Sequence, residues 1–200
     1  MKKIKKIVII TCLVMLISGC KSIFTIENKH ENYLEGKHYA EISVKNYGKI
    51  ELELDADKAP ITVTNFMKLV NEGYYENNKF HRIAKDFVIQ GGEGEKQADT
   101  IKGEFEANKV NNDISHVRGT ISMARSGDTA SGFDTASSQF FIVQKDSTFL
   151  DGYYAGFGKV TKGMDVVDKI VKKVTKVDDN GQVINEKDMP IIEYIKEIEK

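Results

Sequence analysis

Apolar and polar side chains alternate from Tyr39 onward. Ile42 and Val44, then Ile50, Leu52 and Leu54, fall at every second position among Glu and Lys, with Asn46-Tyr47-Gly48 between the two runs. A period of two puts all five on one face, so the pattern predicts a β-hairpin buried on one side. Pro60 opens a segment in which Val63, Phe66, Met67 and Val70 recur at helical spacing, and Gly73 marks its stop. Pro is tolerated in the first turn of a helix and Gly is favoured just past its end. Phe87-Val88-Ile89, closed by Gly91-Gly92, reads as a short buried strand, and residues 119–124 and 139–143 as two more. Met164, Val167, Ile170, Val171 and Val174 predict a second amphipathic helix. The last segment is ambiguous, because Ile191, Ile195 and Ile198 also fit a helical face. Many short strands with two good helices predict a mainly β chain of closed architecture.

The first twenty residues break this pattern. Lys2, Lys3, Lys5 and Lys6 precede an apolar run from Ile7 to Ser18, interrupted by Thr11. The run is shorter than the roughly 20 apolar residues that span a bilayer. A positive start, a short apolar core and small residues at its end read as an export signal. Leu16-Ile17-Ser18-Gly19-Cys20 ends in a pattern similar to the bacterial lipobox. That likeness implies a signal over residues 1–19, diacylglyceryl attachment at Cys20 and an extracytoplasmic, membrane-anchored protein. An ordinary secretory signal with Cys20 as a bystander is the alternative. Residues 20–37 are polar without a clear period and read as a tether, or as a short helix packed on the domain. The domain itself is expected over residues 38–200.

Composition adds two limits. Forty per cent hydrophobic residues in a 200-residue chain suit one ordinary core. Net charge is −1, but removing the four leader lysines leaves 25 basic against 30 acidic side chains, which gives no reason to expect nucleic-acid binding. Cys12 and Cys20 are the two cysteines, so the domain holds no internal disulfide. His30, His38 and His116 show no metal-ligand spacing, and Gly91-Gly92-Glu93-Gly94 lacks the Lys and Ser/Thr of a phosphate loop. No metal and no cofactor are expected.

The most informative stretch is FHRIAKDFVIQGG, residues 80–92, answered by SQFFI at residues 138–142. It sets a permanently charged fork among aromatic and aliphatic side chains, with Gln nearby, and holds no nucleophile–base pair. Together the two stretches resemble the active-site signature of the cyclophilin-type peptidyl-prolyl cis-trans isomerases. The resemblance extends over nearly all of residues 39–198. It implies a closed eight-stranded antiparallel β-barrel capped by two α-helices, with the last segment as a closing strand. It further implies a monomeric, cofactor-free isomerase of X–Pro bonds acting on proline-containing unfolded or exported polypeptides.

On that resemblance Arg82 takes the catalytic role. Phe87, Val88, Phe141 and Leu150 match the proline pocket. Gln90 matches a residue that contacts substrate backbone and orients the Arg. Ala124 and Arg125 match a segment that binds the peptide main chain, and Gln139 a further polar lining residue. Phe149 stands where relatives often carry Trp, keeping an aromatic wall without the indole N–H donor. Tyr154 stands where several relatives have His, and Val88 where many have Met. His81 reads as a packing residue, since no proton transfer is needed. Residues 126–136 form a longer loop than in compact relatives and read as mobile surface. A module that binds proline segments without turnover would use the same pocket. Arg82 speaks against it, because a pure binder has no need of such a donor.

Overall fold

The computed structural model describes residues 32–127 and 129–200. The expected leader, the Cys20 anchor and most of the polar stretch lie outside those residues. Eight strands close into a barrel: β1 (Lys37–Val44), β2 (Gly48–Asp55), β3 (Asn78–Ala84), β4 (Val88–Gly91), β5 (Thr120–Met123), β6 (Phe140–Val143), β7 (Gly156–Lys162) and β8 (Ile191–Glu197). They follow one another in the order β1-β2-β7-β5-β6-β4-β3-β8, with antiparallel neighbours throughout. Two helices, α1 (Pro60–Asn71) and α2 (Met164–Lys173), pack on it. This is the architecture expected from the sequence.

The hairpin forms as its alternation requires. Ala40 pairs with Leu52 and Ile42 with Ile50, all wholly buried. Asn46 and Gly48 take positive φ at the turn, which Asn and Gly adopt more readily than other residues. Pro60 sits in the first turn of α1, and Gly73 (φ +69°) follows its end. In α2, Asp165 lies in the first turn and Lys172 and Lys173 in the last, matching the helix dipole. Before β1, the Leu34 N–H donates to Thr64 Oγ1 of α1 (2.8 Å), and Leu34 packs on the core.

The last segment, ambiguous by spacing and expected as a closing strand from the resemblance, is a strand, Ile191–Glu197. Ser43 faces Tyr194 while Val44 faces Ile192, so Glu193 is an extra residue in the ladder. A bulge of this kind resets the two-residue alternation. Ile192 and Ile195 are therefore both buried at a spacing of three, which imitates a helix. Strands β3 and β7 carried no clear signal. In β7, Gly156 and Gly158 leave Phe157 as the one large apolar residue buried there. A Cβ on Gly158 would lie 2.4 Å from the Glu53 carbonyl oxygen, so close strand packing takes precedence over pattern.

The stretch 126–136, read as mobile, is tied down where it is described. The Ser126 N–H donates to Thr135 Oγ1 (2.9 Å), and Asp134 accepts from the Gly103 N–H (3.0 Å) and Asn108 (2.7 Å). Phe133 meets Phe105 edge-on at 5.2 Å.

Candidate active site

Strands β4 and β6 pair with Ile89 opposite Ile142 and Gln90 opposite Phe141. Alternation sends Ile89, Phe140 and Ile142 into the barrel core and turns Val88, Phe141 and Val143 outward. Both faces are buried, which is why FFIV reads as an unbroken apolar run. Phe87 lies in the turn just before β4 rather than in the strand.

In β3, Phe80 faces Gly91 and Arg82 faces Gln90, leaving His81 unpaired as a bulge. Strict alternation from Phe80 would return Arg82 to the interior. The extra residue carries it to the outer face instead, while Ile83 goes inward. Arg82, Gln90, Phe141 and Ser122 then form one row across β3, β4, β6 and β5.

Val88, Phe141, Val143 and Leu150 make a second, smaller apolar cluster on this outer face, with Phe87, Ala124 and Tyr154 against it. All of these but Val143 wall a hollow of about 210 Å³, completed by Arg82, Gln90 and Arg125. Ordinary small-molecule clefts measure about 300–1,000 Å³, so this one suits a single ring. A larger hollow of about 460 Å³ beside Tyr47 has Lys45, Lys173, Lys176 and Lys187 on its lining and no comparable apolar wall around an oriented donor.

Arg82 Nε donates to the Asn180 carbonyl (2.8 Å) and Nη1 to Gln90 Oε1 (3.3 Å). Gln90 Nε2 in turn donates to Gln139 Oε1 (2.9 Å). The guanidinium carbon lies 5.5 Å from the centre of the Phe87 ring. No described residue accepts a hydrogen bond from Nη2. Burial lowers the Arg82 pKa below its ordinary value, opposed by Tyr154 and Asp178. Arginine remains charged under any physiological condition.

Nine of the eleven residues singled out from the sequence line this hollow. Gln139 stands behind it, touching Gln90. Phe149 is 71% exposed and stacks on Phe87 at 5.6 Å, on the rim. The Arg125 guanidinium lies over Phe105, Phe133 and Tyr154 at 5.4, 5.3 and 4.5 Å, and Nε donates to the Tyr153 carbonyl (2.9 Å). Tyr154 in turn meets Phe141 edge-on at 5.9 Å. Sequence reading did not find Asn180, which sits 98 positions from Arg82. The Asp-Asn-Gly run announces a turn but not its address.

It also missed a network under the floor. His116, wholly buried, stacks on Phe141 at 6.0 Å. Its Nδ1 bonds Asp151 Oδ1 (2.8 Å), and Nε2 meets Ser122 Oγ (2.9 Å). A carboxylate only accepts, so Nδ1 carries the proton and Nε2 accepts from the Ser122 hydroxyl. The order Ser–His–Asp is that of a hydrolase triad. Ser122 is wholly buried, however, so no substrate reaches its oxygen.

This network sets a pH dependence. Burial pushes the His116 imidazole below its ordinary 6.5, and Asp151 only partly offsets that. His81 moves the same way, again first through burial. Burial alone would raise Asp151, but the Ser115 hydroxyl and the His116 donors outweigh it and hold it below 3.8. A histidine held neutral in the fold takes up its proton at higher pH once unfolded. Stability is then full above about pH 6.5 and declines as pH falls from there toward the depressed folded value. Urea midpoints at about pH 7.5 and about pH 5 should show the loss. His116→Gln should start lower yet decline less between the two. An equal decline in both proteins would remove His116 from the account.

The comparisons with known proteins agree with this geometry. Residues 39–195 match the family model described as cyclophilin type peptidyl-prolyl cis-trans isomerase/CLD. The peptidyl-prolyl cis-trans isomerase A of Dickeya dadantii is 44% identical over 140 residues, covering 64% of this chain and 69% of that protein. A crystal structure of a cyclophilin-type peptidyl-prolyl cis-trans isomerase from Cryptosporidium parvum superposes with a TM-score of 0.69 at 28% identity, covering 82% of this chain and 99% of that one. The same protein in the presence of the dipeptide Ala-Pro gives 0.67 at 27%, covering 81% and 99%. A family signature carried on the expected barrel, with its residues gathered round one small apolar hollow, places the chain among the cyclophilin-type peptidyl-prolyl cis-trans isomerases, as an enzyme that rotates X–Pro peptide bonds.

Proposed function

We propose that this isomerase is tethered to the outer side of a bacterial membrane through Cys20, and that Arg82 drives bond rotation in exported polypeptides. The observation that carries the chemistry is Arg82 itself, oriented at Nε and Nη1 beside an apolar hollow with Nη2 left over.

Amide resonance sets a barrier of roughly 18–20 kcal/mol to rotation. No bond is made or cut, so the enzyme's task is to favour the twisted amide. In that state the prolyl nitrogen becomes pyramidal and regains a lone pair. A donor aimed at the lone pair binds the twisted state more tightly than the planar one, and only that difference accelerates the step. Phe87, Val88, Phe141 and Leu150 hold the ring, which has no N–H to satisfy. Gln90 fixes the guanidinium and offers its amide to the substrate backbone, while the chain at Ala124 and Arg125 takes the peptide along β5. The Ala-Pro dipeptide present with the Cryptosporidium parvum protein is of the substrate class this reading requires.

The tether rests on the Ile17-Ser18-Gly19-Cys20 run after its short apolar core. One acyl chain gives only reversible binding, whereas a diacylglyceryl group supplies two chains, enough for stable attachment. Exported chains emerge unfolded, and slow X–Pro exchange then limits their folding. The test is to express the full chain and Cys20→Ser in a bacterial host with radioactive palmitate. Label and membrane fractionation are expected for the unmodified chain and lost in Cys20→Ser, with prolyl isomerisation retained in both. An unlabelled, soluble unmodified protein would replace anchoring by simple secretion.

A further inference from the structure

The geometry points to Asp178 as a positioning residue for isomerisation: its carboxylate shapes the turn whose carbonyl holds Arg82. This rests on the proposal that Arg82 is the donor.

After α2 the chain forms a strap, with Val177 bridged to Val183. Inside it, Asp178 Oδ1 accepts the N–H groups of both Asn180 (2.9 Å) and Gln182 (2.8 Å). The Asp178 N–H donates to the Gln182 carbonyl and the Gly181 N–H to the Asp178 carbonyl, each at 2.9 Å. One carboxylate oxygen thus gathers two donors of the five-residue stretch from Asp178 to Gln182, a local arrangement that Asp is suited to make.

The strap is laid along β3. The Ile83 N–H donates to the Gly181 carbonyl (2.7 Å), and the Val183 N–H to the His81 carbonyl (2.8 Å). Gly181 has φ +82°, and a Cβ there would lie 2.9 Å from Ala84 Cα, so Gly lets the turn approach this closely. The Asn180 carbonyl is left facing Arg82 Nε. Held at Nε by the strap and at Nη1 by Gln90, the planar guanidinium keeps one orientation on the wall of the hollow, with no described acceptor at Nη2. A donor already aimed when the amide twists needs no rearrangement at that moment.

Asp178 is itself exposed. Its removal should therefore disturb the aim of Arg82 more than the stability of the barrel. The test measures kcat and KM on a prolyl tetrapeptide in the full-length chain, for Asp178→Ala, Asp178→Asn, Arg82→Ala and the double variant Asp178→Ala/Arg82→Ala. Asp178→Ala should lower kcat about tenfold, the scale of one modest loss of transition-state stabilisation, with little change in KM. Asp178→Asn, which keeps an accepting oxygen, should recover most of the turnover. Once Arg82 is gone, Asp178→Ala should have no further effect, a non-additivity that a general structural role does not produce. Unchanged kcat in Asp178→Ala, no recovery in Asp178→Asn, or an equal further loss in the double variant would overturn the assignment. Full activity in Arg82→Ala would instead overturn the donor role itself. Should Asp178→Ala lose its folded circular-dichroism spectrum, Asp178→Glu moves the carboxylate one methylene away from both N–H groups and carries the same expectation.

Discussion

Arg82→Ala is expected to lower kcat/KM by roughly 10- to 1,000-fold, the range for removing a transition-state donor. The substitution leaves the apolar walls standing, since Val88, Phe141 and Leu150 pack on one another in one cluster. Ground-state binding of the ring should therefore weaken far less than turnover, and most of the loss should fall on kcat. Arg82→Lys should rescue little, because an ammonium cannot bond the Asn180 carbonyl and Gln90 in one plane and still present a third donor. Folding should survive, because Arg82 lies on the outer face of β3 and not in the core. Circular dichroism and a coupled-protease assay on a prolyl tetrapeptide check both halves. Wild-type turnover in Arg82→Ala would end the donor mechanism.

Two adjacent phenylalanines should behave oppositely. Phe140 is wholly buried, edge-on to Phe66 and Tyr75 at 5.7 Å each and to Phe80 at 6.1 Å. Phe140→Ala removes the centre of that cluster. Such a change costs about 3–5 kcal/mol, a large share of a total stability of about 5–15 kcal/mol. At about 2–4 °C per kcal/mol for a chain of this size, Tm should fall by roughly 6–20 °C. Phe141 points the other way, onto the wall of the hollow, where it meets Tyr154, with His116 stacked beneath it. Phe141→Ala should lose less Tm and instead raise KM for prolyl peptides. Thermal scans with kinetics on both variants decide the matter. Equal losses of Tm with unchanged KM would mean that the outer cluster is ordinary core.

That pair also shows where the sequence stops speaking. The hairpin, α1 and α2 each bury one face and solvate the other, so periodicity alone locates them. Strands β4 and β6 bury both faces, and Phe140-Phe141-Ile142-Val143 holds nothing that separates core from pocket. The family signature supplied the pocket assignment, and the register of β6 against β4 supplies the physical reason. Strand β8 is ambiguous by spacing because its bulge imitates a helical period, and the resemblance alone points to a strand. His116, Ser122 and Asp151 are joined through tertiary contacts over separations of up to 35 positions, and Asn180 reaches Arg82 across 98. Short-range pattern has no access to such distances.

The bulge residues carry a last consequence, in the currency of insertions and deletions. In a regular strand the loss of one residue reverses every later side chain, core for surface. His81 in β3 and Glu193 in β8 are extra to their ladders. Excising either leaves the facing of all neighbouring residues intact: Phe80 and Ile83 still point inward with Arg82 between them, and Ile192 and Ile195 still point inward around Tyr194. Elsewhere in these two strands a single-residue gap would drive a charge into the core or an isoleucine into water. For the fold alone, loss of one residue should therefore be tolerated best at those two positions and worst at their neighbours, whereas turnover would still feel the loss of the His81 carbonyl that holds Val183.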